Sequence, residues 1–154
     1  LSSYWNVKVK PIKERTTKSF FIGNIGGEKR KPLYKRKDCI EGSIDTQLYF
    51  DKLSDTIFSL SPEGSDWGTN RLYESIHCGA IPVYISDVHW CPFSEIIDWS
   101  KFCICIKWDQ LDQLEDIIKN VDPDKMQIEG QKIKHMFSPE YTYSYITNYL
   151  SNIQ

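Results

Sequence analysis

Two periods run through the apolar positions of this chain. Short apolar runs with strand composition occur at Ser19-Phe20-Phe21-Ile22-Gly23-Asn24, at Thr56-Ile57-Phe58-Ser59-Leu60, over residues 81–85 and over residues 102–106. A weaker run over residues 39–44 reads as a further short strand. Between these runs the spacing becomes helical. Leu48, Tyr49 and Leu53 form the apolar side of a helix over residues 46–53, and Leu72 and Ile76 that of a second helix. Pro92 stands at the permitted first turn of a short helix over residues 92–99. Leu111, Leu114, Ile117, Ile118 and Val121 repeat at helical spacing from a start at Asp109 or Gln110. Residues 125–137 and 141–150 close the chain as helices, with Tyr145, Tyr149 and Leu150 available for docking. The order β, β, α, β, α, β, α, β, α, α, α predicts an α/β fold with a mostly parallel sheet covered on both faces. Residues 1–18 are polar, basic in their second half and broken by Pro11, and read as a lead-in or linker stub ahead of a domain spanning residues 19–154.

The chain is organised around residues 61–93. A strand enters a loop containing Gly64 and Gly68, a short helix follows, and a second strand leaves. Parallel sheets bind ligands at the carboxyl ends of their strands, so the loop over residues 61–70 and the pair Ser86-Asp87 are expected to share one crevice. Arg71 sits at the start of the intervening helix, where the helix dipole disfavours a cation. A cation added to a helix amino end and a glycine-containing loop points to an anion, with phosphate the usual guest. Glu74, one turn further along the same face, suits a ribose diol. Spacing by itself favours a plainer reading, an exposed i,i+3 ion pair of Arg71 with Glu74 worth a few tenths of a kcal/mol.

Composition narrows the function classes. With 154 residues, 40% hydrophobic and 26% charged, the chain has the make-up of one globular domain with a substantial core. A net charge of −2 gives no general electrostatic case for nucleic acid or a membrane. No apolar run is long enough to span a bilayer and no signal peptide is visible; the start at Leu1 reads as a processed or excised piece. Five cysteines, an odd number without Cys-x-x-Cys spacing, and three scattered histidines (His77, His89, His135) argue against a disulfide framework or a structural zinc site. Cys103 and Cys105 alternate on one strand and share a face. Reduced thiols favour a cytoplasmic setting, or the Golgi lumen if an upstream anchor has been removed. Asp122-Pro123-Asp124 lies between two helical patterns, so it reads as a turn with Pro123 opening a helix and not as a metal site. The basic run over residues 29–37 is a candidate phosphate or polyanion patch, but a solvated face is the commoner meaning and no nucleic-acid motif accompanies it.

Taken together, three blocks carry a family resemblance. They are Thr56-Ile57-Phe58-Ser59-Leu60-Ser61-Pro62-Glu63-Gly64; then Asn70-Arg71-Leu72-Tyr73-Glu74 continuing through Gly79-Ala80-Ile81-Pro82-Val83; and Pro92-Phe93-Ser94 leading to Trp99. This series resembles the exostosin family of glycosyltransferases (GT-B type, GT47-like), whose signature joins a Pro-x-Gly loop, Arg-x-x-Glu, Gly-x-Ile/Val-Pro-Val and Pro-Phe-Ser-x-x-x-x-Trp. Phe20-Phe21-Ile22-Gly23-Asn24 is similar to the family's first strand in its carboxyl-terminal half. The resemblance implies that residues 19–154 form the Rossmann-like donor-binding half, with transfer from a nucleoside-diphosphate sugar, UDP favoured, to a glycan or glycoprotein, inverting and without a metal or other cofactor. It further implies an acceptor-binding domain in cis or trans, and no nucleic acid partner. Carried over, Arg71 meets the diphosphate and Glu74 the ribose. Pro62, Gly64, Thr69 and Asn70 line the donor, and Ser86 and Asp87 lie beside it. Gly79 and Pro82 are structural, as a helix stop and a strand entry. His89 and Glu63 are possible contributors as a base, His89 reading more naturally as a satisfied loop histidine. The catalytic base has no assignment. A fucosyltransferase-like enzyme using a GDP-sugar and a non-catalytic nucleotide- or polyanion-binding module are the alternatives.

Overall fold

A computed structural model describes residues 7–24, 26–64 and 68–151 of the chain. Its centre is one sheet of five strands: β1 (Thr17–Gly23), β2 (Cys39–Glu41), β3 (Thr56–Pro62), β4 (Ile81–Ile85) and β5 (Ile104–Ile106). They lie in the order β2-β1-β3-β4-β5, and every neighbouring pair is parallel. The α/β class and the parallel sheet expected from the hydrophobic pattern are therefore present, and the fold is Rossmann-like. β4 is buried at all its positions, as a central parallel strand covered on both faces must be.

The helices are α1 (Thr46–Ser54), α2 (Arg71–Cys78), α3 (Leu114–Lys119), α4 (Pro123–Ile133) and α5 (Pro139–Ser151). Local chemistry sets their ends. Asp45 caps α1 by accepting from the Gln47 and Leu48 amides. Asp122 accepts from the Lys125 amide with Pro123 in the first turn of α4, so the Asp-Pro-Asp triplet is a helix start. Gly79 ends α2 in the left-handed region at φ 71°, where an added Cβ would stand 2.3 Å from a Val9 methyl.

One face of the sheet buries Phe58, Leu60, Val83, Ile85 and Ile104 against Leu111 and Leu114, Ile118 of α3 and Met126 of α4. The opposite face sets Tyr84 against Leu72 and Ile76 of α2 together with Trp99, Phe102 and Phe137. Each fully buried aliphatic side chain contributes about 1.5–3 kcal/mol. Small hydroxyl residues let α2 lie close to the strands: Ser75 and Ser59 are both fully buried and hydrogen-bond at 2.7 Å.

The structure departs from the sequence pattern in four places. Residues 92–99 do not form a helix, because Phe93 takes a left-handed φ of 58° and its ring packs against Phe137, Tyr141 and Tyr145. The Trp99 indole then donates to the Pro92 carbonyl at 2.9 Å, which gives the Pro-Phe-Ser-to-Trp block a structural purpose. In α1 the buried residues are Phe50 and Leu53, while Leu48 is exposed. The helix expected from Asp109 or Gln110 divides into a 3-10 segment, Trp108–Gln113, followed by the short α3. Ahead of β1, Ile12 and Arg15 are buried, so the polar lead-in contributes to the packing from Ile12 onward.

Candidate functional site

The connection from β1 runs outward to β2, whereas β3 enters on the other side of β1. The carboxyl ends of β1 and β3 therefore flank the point where the strand order reverses, the position at which open parallel sheets take ligands. β3 feeds the loop that opens α2, so the amino end of α2 and its Arg71 are delivered to this point. Arg71 donates from Nη2 to the Ile22 carbonyl at 2.6 Å, at the end of β1. Its guanidinium lies 4.5 Å from the centre of the Phe21 ring and 5.8 Å from that of Tyr49.

Arg71 and Glu74 do not form the exposed ion pair that spacing suggests. Both are half-buried, and Tyr49 of α1 stands between them. Arg71 Nε donates to the Tyr49 hydroxyl at 3.2 Å, and that hydroxyl donates to Glu74 Oε2 at 2.7 Å. Burial pushes the Tyr49 phenol well above its ordinary value, Glu74 adding to the rise and Arg71 opposing it, so Tyr49 stays protonated as a donor. Arg71 Nη1 and Glu74 Oε1 have no hydrogen-bond partner among the described residues. One donor group and one acceptor atom thus remain for a ligand, as a phosphate and a ribose hydroxyl would require. The helix amides themselves offer less than expected: Leu72 N–H bonds to the Thr69 carbonyl, and Tyr73 and Glu74 N–H to that of Asn70.

The remaining expected donor-site residues fall around this centre with distinct roles. Pro62 is buried as the last residue of β3, opposite Ile85 of β4. Gly64 and Asn70 are exposed and Thr69 half-buried, while Ser65, Asp66 and Trp67 of the same loop lie outside the described residues. Ser86 is fully buried, its hydroxyl held by Glu63 and the backbone of Val88. Asp87 is exposed and pairs with Lys29 at 2.9 Å.

Glu63 accepts hydrogen bonds from Ser86 and from the Trp108 indole at 3.2 Å, and meets Lys29 at 3.4 Å. Burial pushes the Glu63 carboxyl up, but these three donors outweigh it and hold it below its ordinary value. A carboxylate so held is a weak base. His89 donates from Nε2 to the Ile106 carbonyl at 3.0 Å and packs edge-on against Tyr84, the satisfied loop histidine that its position suggested.

The basic run reaches the same end of the sheet. The Glu28–Lys35 segment is 3-10 helix with Leu33 buried. Arg30 bridges the carbonyls of Asn24 and Glu63, and Arg36 pairs with Asp38 and Glu115 at 2.8 Å each. Much of its charge is thus neutralised within the chain. Sequence reasoning missed Tyr49, Lys29 and Arg30 as neighbours of the site. For Tyr49 a signal existed, since a tyrosine on the inner side of a helix needs a partner for its hydroxyl. Among the described residues no group of three His, Cys, Asp or Glu is placed to hold a metal ion, and no helix is long and apolar enough to cross a membrane. All five cysteines are free, with Cys103 and Cys105 sulfurs 4.0 Å apart on a shared face.

The chain is similar to several glycosyltransferases. A probable glycosyltransferase of Arabidopsis thaliana is 29% identical over 118 residues, covering 72% of this chain and 25% of the relative. A probable glucuronosyltransferase of Oryza sativa subsp. japonica is 32% identical over 89 residues, 57% of this chain and 21% of that protein. An exostosin-1 homolog of Caenorhabditis elegans is 40% identical over 62 residues, 40% of this chain and 16% of that protein. The chain therefore spans a quarter or less of the length of these relatives. The model of the exostosin GT47 domain matches residues 8–121, taking in the whole sheet and every residue of the crevice, and the chain belongs to that glycosyltransferase family.

Proposed function

We propose that this chain is the donor-binding half of a glycosyltransferase that moves a sugar from a nucleoside diphosphate, UDP favoured, to a glycan or glycoprotein acceptor. The observation that carries this is the Arg71–Tyr49–Glu74 chain at the strand-order reversal, in which Arg71 and Glu74 each keep a group without a partner among the described residues. Arg71 holds the diphosphate and stabilises the charge that develops on it as the sugar departs, doing electrostatically what a bound metal does elsewhere. Glu74 receives the ribose hydroxyls. The loop from Pro62 and Gly64 to Thr69 and Asn70 lines the donor, and Asp87 faces it from the end of β4; Ser86 supports the wall through Glu63. Inversion at the sugar needs a base within reach of the acceptor hydroxyl. Glu63 and His89 are both committed to internal hydrogen bonds, so the base belongs to an acceptor-binding domain joined in cis or trans. Membership of the exostosin family supports this reading over a fucosyltransferase-like enzyme using a GDP-sugar.

Calorimetric titration of the chain with UDP and with GDP, in the absence of metal, tests the reading. UDP should bind more tightly than GDP, and Arg71→Ala and Glu74→Ala should each weaken UDP by about tenfold or more, the scale of a hydrogen bond to a charged group. If neither nucleotide binds, or both variants bind as the parent does while folded, the assignment fails. Tight UDP binding without transfer, persisting when an acceptor-binding half is supplied, would favour the non-catalytic module.

A further inference from the structure

We propose that Tyr49 is a positioning residue that makes the site select a ribose over a deoxyribose nucleotide by fixing the Glu74 carboxylate. This rests on the donor-site reading above and assigns a specificity role to a residue outside the Arg-x-x-Glu motif. The hydrogen-bond direction is determined by chemistry. An arginine can only donate, so the Tyr49 oxygen accepts from Arg71 Nε, and its single proton goes to Glu74 Oε2. The positive guanidinium on the oxygen polarises the hydroxyl and strengthens that second bond. One carboxylate oxygen is thereby pinned, and Oε1 is left as the acceptor for ribose.

The support for Tyr49 is rigid. Its ring meets Phe50 edge-on at 5.0 Å, Phe50 is buried, and α1 is capped by Asp45. On α2, Arg71 is anchored by the Ile22 carbonyl and the Phe21 ring. Without the phenol, Glu74 keeps its charge but gains rotational freedom about its side chain. A freely rotating carboxylate still attracts a nucleotide's hydroxyls but loses the entropic advantage of being held for them.

The experiment is equilibrium binding of UDP and 2′-deoxy-UDP to the 154-residue chain, to Tyr49→Phe, to Glu74→Ala and to the double variant, each checked for folding by circular dichroism. The parent should favour UDP over its deoxy analogue by about tenfold, as expected when a carboxylate loses a hydroxyl partner. Tyr49→Phe should lose most of that preference through weaker UDP binding, with affinity for 2′-deoxy-UDP nearly unchanged. Added to Glu74→Ala, it should change neither affinity further. A Tyr49→Phe that weakens both nucleotides alike has only a structural role, and one that keeps the parental ratio has none in specificity; either overturns the proposal. If Arg71→Ala and Glu74→Ala weaken UDP yet Tyr49→Phe keeps the ratio, the donor site stands and only this inference falls. If the parent binds no UDP, both fall. If Tyr49→Phe does not fold, Tyr49→Leu, which also removes the hydroxyl, takes its place, and a parental preference for UDP over the deoxy analogue in that variant overturns the proposal.

Discussion

Arg15 and Arg71 bracket α2 and are held in opposite ways. At the carboxyl end, Arg15 donates to the carbonyls of Lys10, Thr56 and Cys78 at 3.0, 2.6 and 2.7 Å, and is 6% exposed. A cation there is favoured by the helix dipole, and burial lowers the guanidinium only to about 10, so the charge persists at neutral pH. At the amino end Arg71 opposes the same dipole. It is held by one carbonyl, one phenol and two aromatic faces, and keeps Nη1 unpaired among the described residues. A cation serving the fold is saturated by backbone oxygens. One serving a ligand is oriented but left with unused donors, in a place where an anion would relieve the unfavourable dipole. Under the proposed donor site, the contrast sets a structural and a ligand-binding cation at the two ends of eight residues of helix.

Breaking the structural side should give the largest effect. Arg15→Met takes a donor from three carbonyls, those of Thr56 and Cys78 in buried contacts while that of Lys10 keeps Gln127, and should lower unfolding free energy by about 3 kcal/mol or more. Urea denaturation measures this, and a loss under about 1 kcal/mol would mean that water replaces the guanidinium without cost. The proposed donor side should respond in binding. Arg71→Lys keeps the charge but loses the planar fork and the stacking on Phe21, so UDP affinity should drop about tenfold while stability moves by less than about 1 kcal/mol. Equal losses in stability and binding would place Arg71 with Arg15 as a structural cation.

The smallest effect concerns acid. Glu63 is held below its ordinary value of 4.5 in the folded chain, so its hydrogen bonds contribute fully above that value and fade as pH falls through the folded value. Glu63→Gln should cost on the order of 1 kcal/mol at pH 6. The gap to the parent should narrow steadily as pH is lowered toward 3. Denaturation midpoints across that range test it, and a gap that stays constant would show that the charge of Glu63 is not what its donors stabilise.

Much of the fold was legible along the chain because its causes are local. The runs at residues 56–60 and 81–85 are strands since both faces of a parallel sheet are covered, which strips charged residues from them. Gly79 and Asp122-Pro123 mark helix ends because capping is settled within a few residues. Arg71 and Glu74 stood out in the sequence through the Arg-x-x-Glu resemblance to the family. Residues 92–99 were misread because periodicity carries no information on the aromatic contacts that hold Phe93 at a positive φ.

Partnerships across the chain were decided only by tertiary structure. The strand order that puts β1 beside β3 brings Tyr49 to Glu74 across 25 positions and Arg15 to Cys78 across 63. Neither pairing has a periodic or capping signature, because each depends on which helix the folded sheet lays beside which strand end. The sequence by itself determined the strands, most of the helices, the ends of α2 and α4, and the placing of Arg71 and Glu74 on one helix. The crossing of the chain at β1 and β3 decided which oxygen each arginine would meet, since hydrogen bonds reach about 3 Å and only a closed fold brings distant residues that near.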